Sequence, residues 1–128
     1  MAGVSKGAIG EVAAARFLRE KGYAIVSSNY RCRQGEIDII ATIGDFIAFV
    51  EVKTRRQDAM YTPREAVTIA KQRRLIQTAS IYLGKYPSKL QPRFDVIEVV
   101  TANESAFKIV EINHILGAYE TGDLSRAF

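Results

Sequence analysis

The 128-residue chain has one cysteine, one histidine, three prolines and no tryptophan. Cys32 alone cannot close an internal disulfide, and with His114 as the lone histidine no Cys/His zinc cluster can form. The longest apolar run is five residues, Phe46 to Val50, against the roughly 20 that a membrane helix needs. The opening stretch Met1-Ala2-Gly3-Val4-Ser5-Lys6-Gly7 lacks the apolar segment of a secretory signal. These absences point to a cytoplasmic domain that does not enter a membrane. They also confine any catalysis to carboxylates, lysines or a metal held by oxygen.

Hydrophobic residues make up 48% of the chain and charged residues 25%, the balance of a folded globular domain. Its length fits one domain over residues 1–128, with 117–128 as a weakly signalled C-terminal tail. Net charge is +4, but unevenly spread. Lys53, Arg55, Arg56, Arg64, Lys71, Arg73 and Arg74 face only Asp58 and Glu65 in one stretch. Such a cluster suits a polyanion surface; a solvated helix face with its loop accounts for it equally well.

Periodicity predicts a helix over Ser5–Lys21, with Ser5 as N-cap and Gly22 as the stop. A strand follows over Tyr23–Arg31, then a turn at Gln34-Gly35. Further strands are expected over Glu36–Ile43 and Phe46–Thr54, with a polar loop over 55–61. Thr62-Pro63-Arg64-Glu65 has the form of a capping box opening a helix that runs to about Leu83 and stops at Gly84. Arg93–Val100 and Ala106–Val110 complete the order α-β-β-β-α-β-β, an α/β domain with one mixed sheet flanked by helices.

Gly44-Asp45 between two β-rich runs is a two-residue hairpin signal. It sets Ile43 opposite Phe46, Asp38 opposite Glu51 and Glu36 opposite Lys53. Strand alternation then makes one face wholly apolar, from Ile37, Ile39, Ala41 and Ile43 to Phe46, Ala48, Val50 and Val52. The other face is apolar at its tip and charged at its open end. A one-residue slip would spoil both faces. Opposed carboxylates at about 4.5–5.5 Å repel, so Asp38 and Glu51 require compensation. Either Lys53 and nearby arginines neutralise them, or they hold a hard cation such as Mg²⁺, with the Val52 carbonyl in range. Lys53 shares their face and can reach a water or phosphate bound there.

Glu36-Ile37-Asp38, twelve residues, then Glu51-Val52-Lys53 resembles the PD-(D/E)XK nuclease superfamily, with Ile37 in place of its proline. The layout is most similar to small archaeal Holliday junction resolvases, which carry a glutamate on the first helix, here Glu11. As a whole, the chain resembles the YraN family of small bacterial proteins. This likeness rests on Gly10-Glu11, Asn29-Tyr30-Arg31, Gly35 to Ala41, Phe49 to Arg55 and Arg93-Phe94-Asp95-Val96. The resemblance implies a restriction-endonuclease-like core. It implies Mg²⁺ or Mn²⁺ on Asp38 and Glu51, Lys53 assisting the attacking water, and Glu11 in the outer metal shell. It further implies hydrolysis of phosphodiester bonds in branched or otherwise structured DNA, by a homodimer. The alternatives are a nucleic-acid-binding module of the same fold that does not cut, and a scaffold whose acids are merely neutralised.

Arg55, Arg56, Arg73 and Arg74 are candidate phosphate contacts. Glu36 is expected to pair with Lys53. Lys71 and Gln72 lie on the helix after the Lys53 strand, where the resemblance allows a supporting polar residue and a solvated helix surface is favoured; Asp95 is expected in a structural role, paired with Arg93 or another base, and His114 and Cys32 in packing or surface positions.

Overall fold

In the computed structural model, residues 6–60 and 67–120 are described. Helix α1 spans Lys6–Glu20, followed by strands β1 Ala24–Cys32, β2 Gly35–Ile43 and β3 Phe46–Arg56. Helix α2 spans Ile69–Lys85, and β4 Gln91–Ala102 and β5 Ser105–Ile115 close the fold. This is the expected α-β-β-β-α-β-β order. The five strands form one sheet in the order β1-β2-β3-β4-β5. Neighbours are antiparallel except β3 and β4, which run parallel. A parallel pair cannot be joined by a tight hairpin, and α2 lies in the connection that joins them.

Each helix covers one face of the sheet. Ala14, Ala15 and Leu18 of α1 are buried against Ile39, Ala41, Ala48, Val50, Ile97 and Val99. Leu75, Ile76, Ala79 and Tyr82 of α2 pack on Ile37, Ile40, Ile47, Phe49, Phe94 and Val96. Covering on both faces explains why β3 opens with an unbroken apolar run rather than an alternating one. Of the apolar hairpin face, Ile39, Ala41, Ala48 and Val50 lie under α1 with Ile43 and Val52 at its margin, while Phe46 is exposed; the apolar tip of the second face is also core, under α2.

Several boundaries differ from those expected. The β1–β2 turn is Arg33-Gln34, because Gly35 already pairs with Cys32. β3 continues to Arg56, held by parallel pairing of Arg55 with Val100 and Arg56 with Thr101. The capping box at Thr62–Glu65 lies outside the described residues, as does the Ser5 cap. α2 begins at Ile69 with Thr68 as N-cap, its side chain accepting the Lys71 N–H. At the other end α2 runs past Gly84, and the Tyr86 N–H closes it on the Tyr82 carbonyl at 2.8 Å. β5 is longer than its sequence suggests. As an edge strand, half exposed along its length, it offers no clean hydrophobic alternation. The assigned tail begins inside the core: Ala118 is buried, its N–H bonds the Phe94 carbonyl at 2.8 Å, and Tyr119 stacks on Phe94.

Candidate functional site

The Gly44-Asp45 turn, with Gly44 at φ +53°, sets the β2–β3 register. Pairing runs from Ile43–Phe46 to Ile39–Val50. One step further the Val52 N–H is donated to the side chain of Asp38, at 2.8 Å from Oδ2. Alternation also breaks here: Ile37 packs in the cluster of Ile40 under α2, not with Ile39 under α1. On the neighbouring strand, between the Ser28–Ile39 and Tyr30–Ile37 pairs, Asn29 has φ +55°. Asparagine tolerates this left-handed conformation better than most residues.

These irregularities gather acids from different elements. Carboxylate oxygens of Glu11 on α1 and of Glu36 and Asp38 on β2 lie within 4.8 Å of one another. With its amide oriented to donate, Asn29 bridges Glu11 Oε1 at 2.6 Å and Glu36 Oε1 at 3.1 Å. Arg31 Nε donates to Glu36 Oε2 at 2.9 Å. Gly10, beside Glu11, lets α1 approach β3, since a Cβ there would run into the Thr54 side chain. Glu51 is buried and held by lysines, with Lys71 Nζ at 2.7 Å and Lys53 Nζ at 3.5 Å from Oε1.

Asp38 and Glu51 form the divide between two open lobes of about 310 Å³ each. One lobe is lined by Glu11, Lys53 and Thr54, the other by Glu36, Lys71 and Arg74. Burial, then the Glu51 charge, pushes the Asp38 carboxyl up to about 7, although the Val52 N–H works against the shift. Burial, then Glu36 and Glu51, raises Glu11. Burial and the neighbouring Lys71 lower Lys53. Burial also acts to lower Lys71, but its hydrogen bond to Glu51 and the surrounding acids hold it above the ordinary lysine value.

Glu11, Asp38, Glu51, Val52 and Lys53, singled out in the sequence, therefore meet around one cleft. Glu36 does not pair with Lys53 as expected; the kink at Asp38 turns it to Arg31 and into the carboxylate cluster. Lys71 is not a solvated surface lysine but a partner of Glu51. Gln72 donates to the Val67 carbonyl at 3.0 Å. Asn29 has no assigned role in the sequence, and for Lys71 the sequence favours a solvated surface over a supporting role. For Asn29 the available signal was a turn-prone residue inside a strand; for Lys71 there was only its place on the helix after the Lys53 strand.

The four candidate phosphate contacts separate. Arg55 donates to buried Glu98 at 2.6 Å and its side chain is only 17% exposed. Arg56 pairs with Asp58 at 2.6 Å. Arg73 and Arg74 are exposed on α2, and of these only Arg74 lines the cleft.

Asp95 is structural, as expected, in a fully buried network. Arg93 binds both its oxygens, His114 Nε2 lies 2.9 Å from Oδ2 and the Gly117 N–H donates to Oδ1. These contacts outweigh its burial and hold its carboxyl below the usual range. His114 packs between Phe17 and Tyr23. Cys32 is half-buried beside Gln34.

A family model described as "Uncharacterised protein family UPF0102" matches residues 10–99. The chain belongs to the UPF0102 family. This is the YraN family that its motifs resemble. A UPF0102 protein of Symbiobacterium thermophilum is 56% identical over 94 residues, covering 73% of this chain and 80% of the relative. One from Caldanaerobacter subterraneus subsp. tengcongensis is 43% identical over 114 residues, covering 88% and 93%. One from Chlorobaculum tepidum is 43% identical over 120 residues, covering 91% and 93%. The segment matched to UPF0102 contains every acid and lysine of the cleft. Among the described residues no helix is long and apolar enough to cross a membrane.

Proposed function

We propose that this UPF0102 protein is a divalent-metal-dependent nuclease of PD-(D/E)XK type, hydrolysing phosphodiester bonds in nucleic acid. Its substrate class is structured or branched DNA in the cytoplasm, and it works as a homodimer where two strands are cut. The observation that carries this is the crowding of Glu11, Glu36, Asp38 and Glu51 beside Lys53, with Asp38 raised to about 7. Acids pressed together at an energetic cost, with a kinked strand holding them there, fit an oxygen-binding cation. Among the described residues the set offers oxygen donors, with no thiol or imidazole in it.

Asp38, Glu51 and the Val52 carbonyl would hold Mg²⁺ or Mn²⁺, with Glu11 and Glu36 in reach of the same cluster. Such an ion supplies Lewis-acid polarisation of a phosphoryl oxygen and lowers the pKa of a water. Asn29 and Arg31 orient the Glu36 and Glu11 carboxylates. Lys53 places a cation beside Glu51, where negative charge develops on the phosphoryl group during attack. Its lowered pKa eases proton exchange with the attacking water. Arg74, exposed on α2 and lining the cleft, supplies positive charge for the backbone, whereas Arg55 is held by Glu98 and Arg56 by Asp58.

The test is incubation of four-way junction, flap and single-stranded DNA with Mg²⁺ or Mn²⁺, beside calorimetry of ion binding. Ion binding with cleavage supports the proposal. Ion and DNA binding without turnover would favour the non-cutting module. A protein that takes up no divalent ion at millimolar concentration, with or without DNA, overturns the mechanism.

A further inference from the structure

The arginines of the sheet and those of α2 are unequally committed. Arg31, Arg55, Arg56 and Arg93 are each paired with a carboxylate, at 2.9, 2.6, 2.6 and 2.8 Å. Arg74 has no ion-pair partner among the described residues, and it lines the α2 side of the cleft. Lys71, one helical turn before it, lines the same lobe. Residues three apart on a helix are surface neighbours, so α2 presents two cations side by side over this lobe. The Lys71 ammonium has three donors. It bonds Glu51 with one and can face a second acceptor.

We propose that Lys71 and Arg74 form a phosphate subsite in the α2-side lobe. It would bind the backbone diester next to the one held at Asp38 and Glu51. This rests on the cleft being a nucleic-acid site, but not on turnover. The sheet floor of the lobe carries Glu36, Asp38 and Glu51, so a polyanion is repelled there until the acids are neutralised. The α2 cations are the groups that can hold a strand against that repulsion. A guanidinium takes two phosphate oxygens at once, while Lys71 acts as a point charge shared between Glu51 and the diester. Arg73 lies on the same helix but outside the lobe, so charge alone does not make it equivalent.

Binding of fluorescently labelled single-stranded DNA is measured by anisotropy over a range of salt, with Ca²⁺ replacing Mg²⁺. The proteins are the full chain, Arg74→Ala, Arg73→Ala and Lys71→Gln, with thermal melts to establish folding. Arg74→Ala should weaken binding about five- to tenfold and lower the log–log salt slope by about 0.7. Arg73→Ala should leave both nearly unchanged. Lys71→Gln should lower the slope like Arg74→Ala. Strands with and without a 5′-phosphate should bind alike, because the ligand is an internal diester.

Equal losses for Arg73→Ala and Arg74→Ala would overturn the subsite in favour of a diffuse basic face. A strong preference for the 5′-phosphorylated strand would overturn the internal-diester assignment. Either result leaves the metal mechanism standing. No binding by the unaltered chain to the single strand or to a labelled four-way junction removes both proposals, whereas ion uptake without an Arg74 effect removes only this one.

Discussion

Loss of the Asp38 charge from the crowded carboxylates should make the protein more stable. In Asp38→Asn the side chain keeps an oxygen for the Val52 N–H but no longer carries charge beside Glu51. A carboxyl moved from 3.8 to about 7 represents about 4 kcal/mol between its two protonation states, which is the ceiling for the gain. Burial of the uncharged amide offsets part of it, so about 1–3 kcal/mol is expected at pH 8 without metal. For a domain of this length that is roughly 3–5 °C in Tm for each kcal/mol. Below about pH 4 Asp38 is protonated in the folded and unfolded chains alike, and the charge penalty vanishes. As pH rises from there to about 7 the unfolded chain ionises first, so native stability falls. Above 7 the whole penalty is present. Denaturation in EDTA at pH 5 and pH 8 should therefore show the gap between Asp38→Asn and the unaltered chain widening with pH. Added Mn²⁺ should narrow it by stabilising the unaltered chain selectively, by about 2.7 kcal/mol at a hundredfold excess over Kd. A variant no more stable at pH 8, or a gap independent of pH, would refute the reasoning.

Other substitutions separate the roles. Glu51→Gln should lose ion affinity and cleavage together, and melt lower, because Lys71 and Lys53 lose their buried partner; calorimetry, cleavage and a melt read all three. Lys53→Met should keep ion binding yet slow cleavage on the order of 10²–10³-fold, and an unchanged rate would remove Lys53 from the chemistry. Arg55→Ala should destabilise by about 3–5 kcal/mol, because buried Glu98 loses its arginine and keeps only the Asn113 amide on its other oxygen. Below its melting temperature it should bind DNA as the unaltered chain does, so a selective loss of DNA affinity in a stable variant would contradict its structural assignment. Gly10→Val should lower stability by about 1–3 kcal/mol, because its side chain meets Thr54, as denaturant titration would show.

The hairpin was legible because three signals agreed: the Gly44-Asp45 turn, the apolar face from Ile37 to Val52, and the charges at its open end. Its register holds to Ile39–Val50. Where it ends, strict alternation misplaces Ile37 and Glu36, since the Asp38 carboxylate takes a backbone donor and nothing in a period of two encodes that. Asn29 could be seen as an odd strand residue, but its bridge between Glu11 and Glu36 depends on a helix that arrives from elsewhere in the chain. Lys71 looked like any helix-surface lysine, because its partner lies twenty residues away on another element. Similarly, Arg55 seemed free until β4 brought Glu98 alongside β3. Local pattern supplied the elements and the acid set; long-range pairing decided which charges remain open to a ligand.

The parallel partnership of β3 and β4 has a consequence for synthesis. β3 emerges from the ribosome with Phe46–Val50 as an apolar edge, while its partner β4 is completed only at Ala102. At ordinary translation rates that interval lasts roughly 2–10 s. An unpaired apolar edge is a template for pairing with another chain. A chain truncated at Lys85 should accordingly aggregate, whereas the full chain should stay dispersed; fractionation of freshly translated chains by sedimentation compares them directly. Crowding on polysomes thus bears hardest on the strand that carries Glu51 and Lys53.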